Sequence, residues 1–363
     1  MNIAMIGSRG VGSGYGGVES VLDNLCPHLA SFGHKIDIFS REDIDYQNSE
    51  AVRAIRIKSF QSKHLETITR SVISLCRAVN KYDIIHFHSI GSGILTPMSK
   101  LMGQKSIITI HGLDSERAKW GFIARNSLRL AERTLVSNSD AITVVSNQLR
   151  RYFLEKYDCP VTYIPNGVKE RPYKEPSEFL FGFGLRKKNY ILFSSRLTPE
   201  KGAHDLIMAF NRINSSHKLV IAGSSSSQDY YEYLKSLSND GNIVFTGHVR
   251  GQNLWELYSN AYLFVLPSYL EGMSMALLEA MSFKIAPLVS NIPENIGVVG
   301  DNGFYFEKKN IQNLEQKLAY LIENKTEVCR MEEKLKLTKN INWEVIASDY
   351  DKIYQRVLEK ENV

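Results

Sequence analysis

The chain alternates between two hydrophobic patterns. Short continuous apolar runs, such as Asn2–Ile6 and Tyr262–Leu266, read as strands buried on both faces. Between such runs, apolar residues recur every three or four positions, as at Val18, Val21, Leu22, Leu25 and Leu29, which is the signature of an amphipathic helix. Further strands are predicted at Lys35–Phe39, Ala54–Ile57, Ile84–His88, Ser106–Ile110 and Ala141–Val145. The stretch 169–189 interrupts the alternation with Pro172 and Pro176 and reads as a linker. Strand-like runs then resume at Tyr190–Phe193, Lys218–Ile221, Asn242–Phe245, Tyr262–Leu266, Ile285–Val289 and Gly303–Phe306. Alternation of this kind predicts α/β architecture with two doubly wound parallel sheets, in domains 1–168 and 190–344. If the two domains face one another, a ligand cleft is expected at the carboxyl ends of their strands.

Composition changes this picture little. At 363 residues, 43% apolar and 23% charged, the chain is an ordinary globular protein large enough for two cores. Cys26, Cys76, Cys159 and Cys329 form no CxxC pair, which suggests a reducing compartment and no zinc site. MNIAMIGSRG lacks the basic segment and apolar core of a secretion signal, and no apolar run approaches bilayer length. A soluble, cytoplasmic protein is therefore expected. Charge is more informative: residues 1–168 carry 20 Lys and Arg against 15 Asp and Glu, whereas 169–363 carry 24 of each. The whole positive excess lies in the first half and points to an anionic partner, nucleic acid or a membrane surface.

The stretch with most chemistry is Pro267–Ala280, PSYLEGMSMALLEA. An apolar strand gives way to a glycine-containing turn and then to a helix that Ser274 can cap. Glu271 sits beside the helix N-terminus and Glu279 two turns in, at most about 12 Å further along the axis. The unpaired N–H groups of the first turn, Gly272, Met273, Ser274 and Met275, can hold an anion between the two carboxylates. That arrangement suits a sugar nucleotide, with the diphosphate at the helix end and hydroxyls at each carboxylate. Taken alone, Glu271 reads equally as a first-turn acid favoured by the helix dipole, and Glu279 as part of a solvated face.

Two other segments add candidate phosphate ligands. Arg196 follows a strand and Lys201 lies five residues later, before a helix, so one loop can aim both cations at a diphosphate. In isolation they also fit a solvated loop with incidental charges. The first strand runs into GSRGVGSGYGGVES, a strand, glycine loop and helix in phosphate-binding order. Gly12, Gly14 and Gly17 match the dinucleotide fingerprint GxGxxG, but the match starts five residues after Gly7 ends the strand, which argues against NAD. Asp43-Ile44-Asp45 is a DxD tripeptide read as a surface loop.

Several motifs in order resemble glycosyltransferase family 4, whose fold is GT-B: two Rossmann-like domains with an interdomain cleft. They are GGVE at Gly16–Glu19, TIHG at Thr109–Gly112, VVSNQLRRY at Val144–Tyr152, YIPNGV at Tyr163–Val168, RLTPEKG at Arg196–Gly202, FTGHV at Phe245–Val249, and EGMSMALLE at Glu271–Glu279. The apolar stripe Trp343, Ile346, Tyr350, Ile353, Tyr354 and Val357 resembles the family's last helix, here about 345–363, which packs back on the first domain.

The resemblance implies a retaining transferase that uses a nucleoside-diphosphate sugar as donor and has no obligatory cofactor or metal. Arg196 and Lys201 would hold the diphosphate, while Gly16 and Gly17 would let backbone approach it. Glu279 would bind the ribose, the backbone near Val249 the base, and Glu271 with the amides of Gly272–Met275 the transferred sugar. His111 would lie near the anomeric centre, although a histidine ending a strand also reads as structural. The subtype GSRGxxxxYGGVE is similar to enzymes that extend undecaprenyl-diphosphate-linked glycans in surface polysaccharide synthesis. A lipid-linked oligosaccharide acceptor is expected, with peripheral attachment to the anionic inner face of the cytoplasmic membrane and no nucleic acid. Lys63, Arg70 and Arg77, spaced by seven, and Arg125 and Arg129, spaced by four beside Trp120, are the candidate membrane contacts, with a plain solvated face as the alternative. A sugar-nucleotide epimerase, a non-catalytic sugar-nucleotide binder and a dehydrogenase are the competing readings. The chain departs from the family's pattern at Phe283, Lys284 and Ile285, where a small residue and glycine usually precede the proline, here Pro287.

Overall fold

The computed structural model describes residues 1–12, 16–41, 48–58, 66–116, 121–238, 241–336 and 339–359. They form two compact units, Met1–Gly167 with Asn340–Val363, and Val168–Lys339.

The first unit contains strands β1 (Asn2–Ile6), β2 (Lys35–Arg41), β3 (Val52–Ile57), β4 (Ile84–His88), β5 (Ser106–Ile110), β6 (Ala141–Val144) and β7 (Thr162–Tyr163). Their order is β3-β2-β1-β4-β5-β6-β7, and every pairing is parallel. β4 and β5 are buried along their full length, which is why they read as unbroken apolar runs despite His86, His88 and Thr109. The C-terminal helix Trp343–Glu359 packs against the helix Gly17–Ser31 and buries Trp343, Ile346, Tyr350, Ile353, Tyr354 and Val357. Trp343 closes on Gly167, where a Cβ would stand 2.5 Å from the indole.

The second unit contains β8 (Tyr190–Ser194), β9 (Lys218–Ala222), β10 (Ile243–Gly247), β11 (Leu263–Leu266), β12 (Pro287–Ser290) and β13 (Phe304–Phe306). The order β10-β9-β8-β11-β12-β13 is again wholly parallel. Successive side chains divide between two cores, as a period of two requires. Ile191, Phe193, Leu219, Ile221, Leu263 and Val265 pack on one face, and Tyr190, Leu192, Val220, Phe264 and Leu266 on the other.

The segment 169–189, read above as a linker, is instead part of the second unit. Leu180 and Leu185 are fully buried in its core, and buried Glu256 accepts from the Ser177 amide at 2.6 Å and its hydroxyl at 2.8 Å. The prolines interrupt regular structure without detaching the chain. Among the described residues no helix is long and apolar enough to cross a membrane.

Candidate functional site

In a doubly wound sheet the strand order reverses at one point, and the loops leaving the two strands there diverge and open a crevice. In the second unit that point lies between β8 and β11, and the two candidate segments are the loops that leave those strands. They are fastened together. The Tyr269 amide donates to the Glu200 carbonyl at 2.8 Å, and Gly202, at φ 69°, lies so close that a Cβ would meet the Pro267 carbonyl oxygen at 2.2 Å. Only glycine fits there. On the other flank, a Cβ on Gly223 would stand 1.9 Å from the Ser195 carbonyl, next to Arg196.

This fastening brings Lys201 onto Glu271, Nζ to Oε1 at 2.5 Å, with side chains 13% and 6% exposed. Ser268 Oγ donates to the same carboxylate oxygen at 2.6 Å, and Ser268 is held in turn by Ser290 Oγ on its carbonyl at 2.5 Å. An ammonium carries three donors, and the bond to Glu271 orients the group. Arg196, in the same loop, is half-buried. Ser274 caps the helix Met275–Ser282 by accepting from the Leu277 amide at 3.3 Å. The first-turn residues Gly272, Ser274 and Met275 are buried and Met273 half-buried.

Glu279 lies on that helix among Tyr258 and Arg171. Its carboxyl is pushed up to about 7, chiefly by burial, against which the Tyr258 hydrogen bond and the Arg171 charge act. Arg171 is stacked over Trp255 at 4.2 Å, and Phe283 stacks on Tyr258 at 5.6 Å with planes 11° apart. Phe283, one of the departures from the family pattern, therefore backs the ring that contacts Glu279. Lys284 next to it adopts φ 57°, the left-handed conformation for which glycine is favoured. Val249, half-buried, follows β10.

In the first unit the reversal lies between β1 and β4. Gly7, at φ 111°, passes over the end of β4, where a Cβ would meet the His88 carbonyl at 2.2 Å. Gly16 is the extended N-cap of the helix Gly17–Ser31, so neither conformation demands glycine, although a Cβ on Gly16 would approach Glu19 Oε2 to 2.7 Å. Glu19 is buried and accepts from the Arg9 amide at 2.9 Å, tying the loop to the helix. His111 follows β5 and pairs with His88 Nδ1 through Nε2 at 3.1 Å. After it, Ser115 donates to buried Glu132 at 2.9 Å; the same carboxylate also accepts from Tyr152, Tyr157 and Lys156.

Two family models match consecutive parts of the chain: Glycosyltransferase Family 4 over residues 15–171 and Glycosyl transferases group 1 over 178–340. The chain belongs to glycosyltransferase family 4. It is 25% identical to an uncharacterized glycosyltransferase of Methanocaldococcus jannaschii, covering 95% of each chain. To UDP-Gal:alpha-D-GlcNAc-diphosphoundecaprenol alpha-1,3-galactosyltransferase of Escherichia coli it is 27% identical, covering 78% of each. The structure of sucrose-phosphate synthase from Thermosynechococcus elongatus superposes with a TM-score of 0.82 at 20% identity, covering 99% of each chain, and the fold is GT-B.

The candidate membrane contacts of this family 4 glycosyltransferase divide. Lys63 and Trp120 lie outside the described residues. Arg77 is exposed on the helix Glu66–Ala78, and Arg125 and Arg129 are exposed on the helix Phe122–Asn138, which also carries Phe122 at 80% and Leu130 at 55% exposure. Arg70 is not a surface residue at all: it is 2% exposed, bonded to Glu66 at 2.8 Å and to the Ser8 carbonyl at 3.2 Å. Glu66, four residues earlier, is the partner that withdraws it from the basic face.

Sequence reading also missed supporting residues. Ser268 was visible three positions before Glu271, and His88 two positions after His86 on a strand. Arg171, Trp255 and Tyr258 left no local trace near Glu279, because only folding brings them to it. A further unpredicted cluster braces the loops: Tyr269 hydroxyl bonds Asp205 Oδ2 at 2.5 Å and His204 Nε2 at 3.0 Å, and His204 Nδ1 bonds Tyr230 at 2.9 Å.

Proposed function

We propose that this glycosyltransferase transfers a sugar, with retention, from a nucleoside-diphosphate sugar held by the second unit to a lipid-linked glycan acceptor taken by the first, in surface polysaccharide synthesis. The observation that carries this reading is the buried Lys201–Glu271 contact beside Arg196 and the capped start of the helix Met275–Ser282. It joins a cation for phosphate to a carboxylate for sugar hydroxyls at the reversal point of the sheet.

Arg196 and Lys201 take the diphosphate. Glu279 accepts from the ribose hydroxyls and the backbone near Val249 meets the base. Glu271 and the amides of Gly272–Met275 orient the sugar, and His111 serves the acceptor on the first unit. Among the described residues of the first unit no carboxylate suggests itself as a covalent nucleophile, so the reaction is read as front-face substitution. The bond from the anomeric carbon to the diphosphate oxygen breaks as the acceptor oxygen attaches on the same face. The acceptor's proton passes to the departing phosphate. Arg196 and Lys201 meet the charge that develops on that phosphate, usually the largest protein contribution in such a step. The lipid-linked acceptor agrees with the name of the Escherichia coli relative and with the exposed Phe122, Arg125, Arg129 and Leu130, which would lie on an anionic membrane surface.

The test is incubation with UDP-, GDP-, dTDP- and ADP-sugars, with and without a diphosphate-lipid glycan acceptor. Nucleotide release that requires the acceptor, with a new glycoside of the donor's anomeric configuration, supports the reading. Conversion of the sugar nucleotide without acceptor would establish an epimerase instead.

A further inference from the structure

The side chain of Tyr269, two residues before Glu271, reaches past Lys201 to the start of the helix Ala203–Phe210. There its hydroxyl meets Asp205 Oδ2 at 2.5 Å and His204 Nε2 at 3.0 Å. Asp205 is buried, at 6% exposure, and Tyr269 is half-buried. The Tyr269 amide is on the Glu200 carbonyl at 2.8 Å. One residue is therefore bonded on both sides of Lys201, to residue 200 by its main chain and to residues 204 and 205 by its hydroxyl.

The direction of these bonds follows from the groups involved. Burial, and next the hydrogen bond to Asp205, push the Tyr269 hydroxyl well above the ordinary tyrosine range, so it keeps its proton. A carboxylate oxygen only accepts, so that proton goes to Asp205. The phenol oxygen then accepts from His204 Nε2, while His204 Nδ1 meets the Tyr230 hydroxyl at 2.9 Å. The phenol is thus the link between a donor and an acceptor, and removing its oxygen breaks both bonds.

Glu271 is gripped from the opposite flank as well. Ser268 donates to its Oε1, Ser290 holds the Ser268 carbonyl, and buried Asn295 donates to Ser290 Oγ at 3.1 Å and to the Ser290 carbonyl at 3.2 Å. Ser290 ends β12, so these bonds fix Glu271 relative to β12 rather than to Lys201. How closely carboxylate and ammonium meet depends on how the loop after β11 lies on the loop after β8, and the Tyr269 side chain is the clasp between those two.

We propose that Tyr269 is a positioning residue for the Lys201–Glu271 pair: its hydroxyl, bonded to Asp205 and His204, sets the register of the two loops in which ammonium and carboxylate meet. The register stands on the ligand-free geometry, and its effect on transfer rests on the function proposed above. Groups that meet a departing phosphate are sensitive to placement, since a shift of about 1 Å can cost about 100-fold in rate.

The experiment is denaturant unfolding of the full chain for wild type, Lys201→Ala, Glu271→Gln and the double variant, repeated in Tyr269→Phe. The phenylalanine keeps the ring, over which Lys309 Nζ stands 5.0 Å from the centre. The coupling between Lys201 and Glu271, read as a ratio of unfolding constants, should fall by about fivefold or more when the hydroxyl is absent. An unchanged coupling would overturn the proposal. Asp205→Ala removes the acceptor but leaves the phenol, and should weaken the coupling likewise; Asp205→Asn keeps an oxygen for the phenol and should restore most of it. This second pair decides the matter should Tyr269→Phe not fold, and equal coupling in the two would also overturn the proposal. In initial-rate kinetics Tyr269→Phe should lower kcat about tenfold with donor KM changed less than about twofold, and adding Asp205→Ala should lower kcat no further. Additive losses would show that the two residues do not act through one bond and would contradict the proposal. A coupling that depends on Tyr269 in a protein that transfers no sugar contradicts the functional reading and leaves the positioning role standing.

Discussion

Lys201 and Glu271 stand 70 residues apart in the chain and 2.5 Å apart in the structure, each nearly buried. Neither is worth burying alone, since an uncompensated charge in this position costs about 3–5 kcal/mol. The pair is therefore expected to behave as a unit. Lys201→Ala should destabilise the protein by about 3 kcal/mol and lower turnover at saturating donor roughly 100-fold or more. Adding Glu271→Gln should recover part of the stability, because the orphaned charge is removed, and none of the turnover. Denaturant unfolding and initial rates on the four proteins measure both; recovered turnover in the double variant would show that Lys201 serves only Glu271.

The raised Glu279 carboxyl gives a pH dependence with a definite sign. To accept from ribose hydroxyls it must be ionised, and in the free protein half of it is protonated near pH 7. Sugar-nucleotide affinity should therefore improve as pH rises, by about tenfold between pH 6 and pH 8. Stability should move the other way. The folded carboxyl is raised above its unfolded value of 4.5, so its contribution is fully present below 4.5 and is lost as pH rises through about 7. Calorimetric titrations from pH 6 to 8 with wild type and Glu279→Gln test this, and an equal pH slope in the two would remove Glu279 as its source.

Much of the architecture was legible because both sheets are parallel and covered on both faces, which turns stretches such as Tyr190–Phe193 and Leu263–Leu266 into unbroken apolar runs. The two-residue strand Thr162–Tyr163 was not, being too short to carry a period. At the candidate site, residues close in sequence, such as Arg196 with Lys201 and Glu271 with Glu279, were visible as motifs. Tyr258 and Arg171, which act on Glu279, were not, because only folding brings them to it. Arg70 was misassigned for a related reason: spacing places a side chain on a helix face but does not say which face is buried.

Lys284 stands where a glycine is usual and takes a left-handed φ of 57°. An L-residue pays about 1–2 kcal/mol for that conformation, partly offset by the greater chain entropy glycine loses on folding. Lys284→Gly should stabilise the protein by up to about 1 kcal/mol, raising Tm by about 2 °C, without altering donor affinity. A lower Tm would mean that the Lys284 side chain makes a stronger contribution than its backbone strain.

The exposed basic helix and the buried arginine should separate cleanly in a vesicle assay. Replacing Arg125 and Arg129 with alanine should weaken binding to vesicles containing anionic lipid by about 2 kcal/mol, roughly thirty-fold, at unchanged Tm. Arg70→Ala should lower Tm, because it strips Glu66 and the Ser8 carbonyl of a buried partner, and leave vesicle binding of the folded protein as it was. Co-sedimentation without any dependence on anionic lipid would contradict the membrane reading.

On this reading the loops after β8 and β11, with the helix Met275–Ser282, hold a nucleoside-diphosphate sugar. Thermal denaturation in the presence of UDP-, GDP-, dTDP- and ADP-sugars and of NAD(P) tests it most directly, since a ligand that binds the native state raises Tm by mass action. The expected result is a rise with one class of sugar nucleotide that is lost in Glu279→Ala and reduced in Lys201→Ala. A rise with NAD(P) alone, or an equal rise in wild type and both variants, would contradict it.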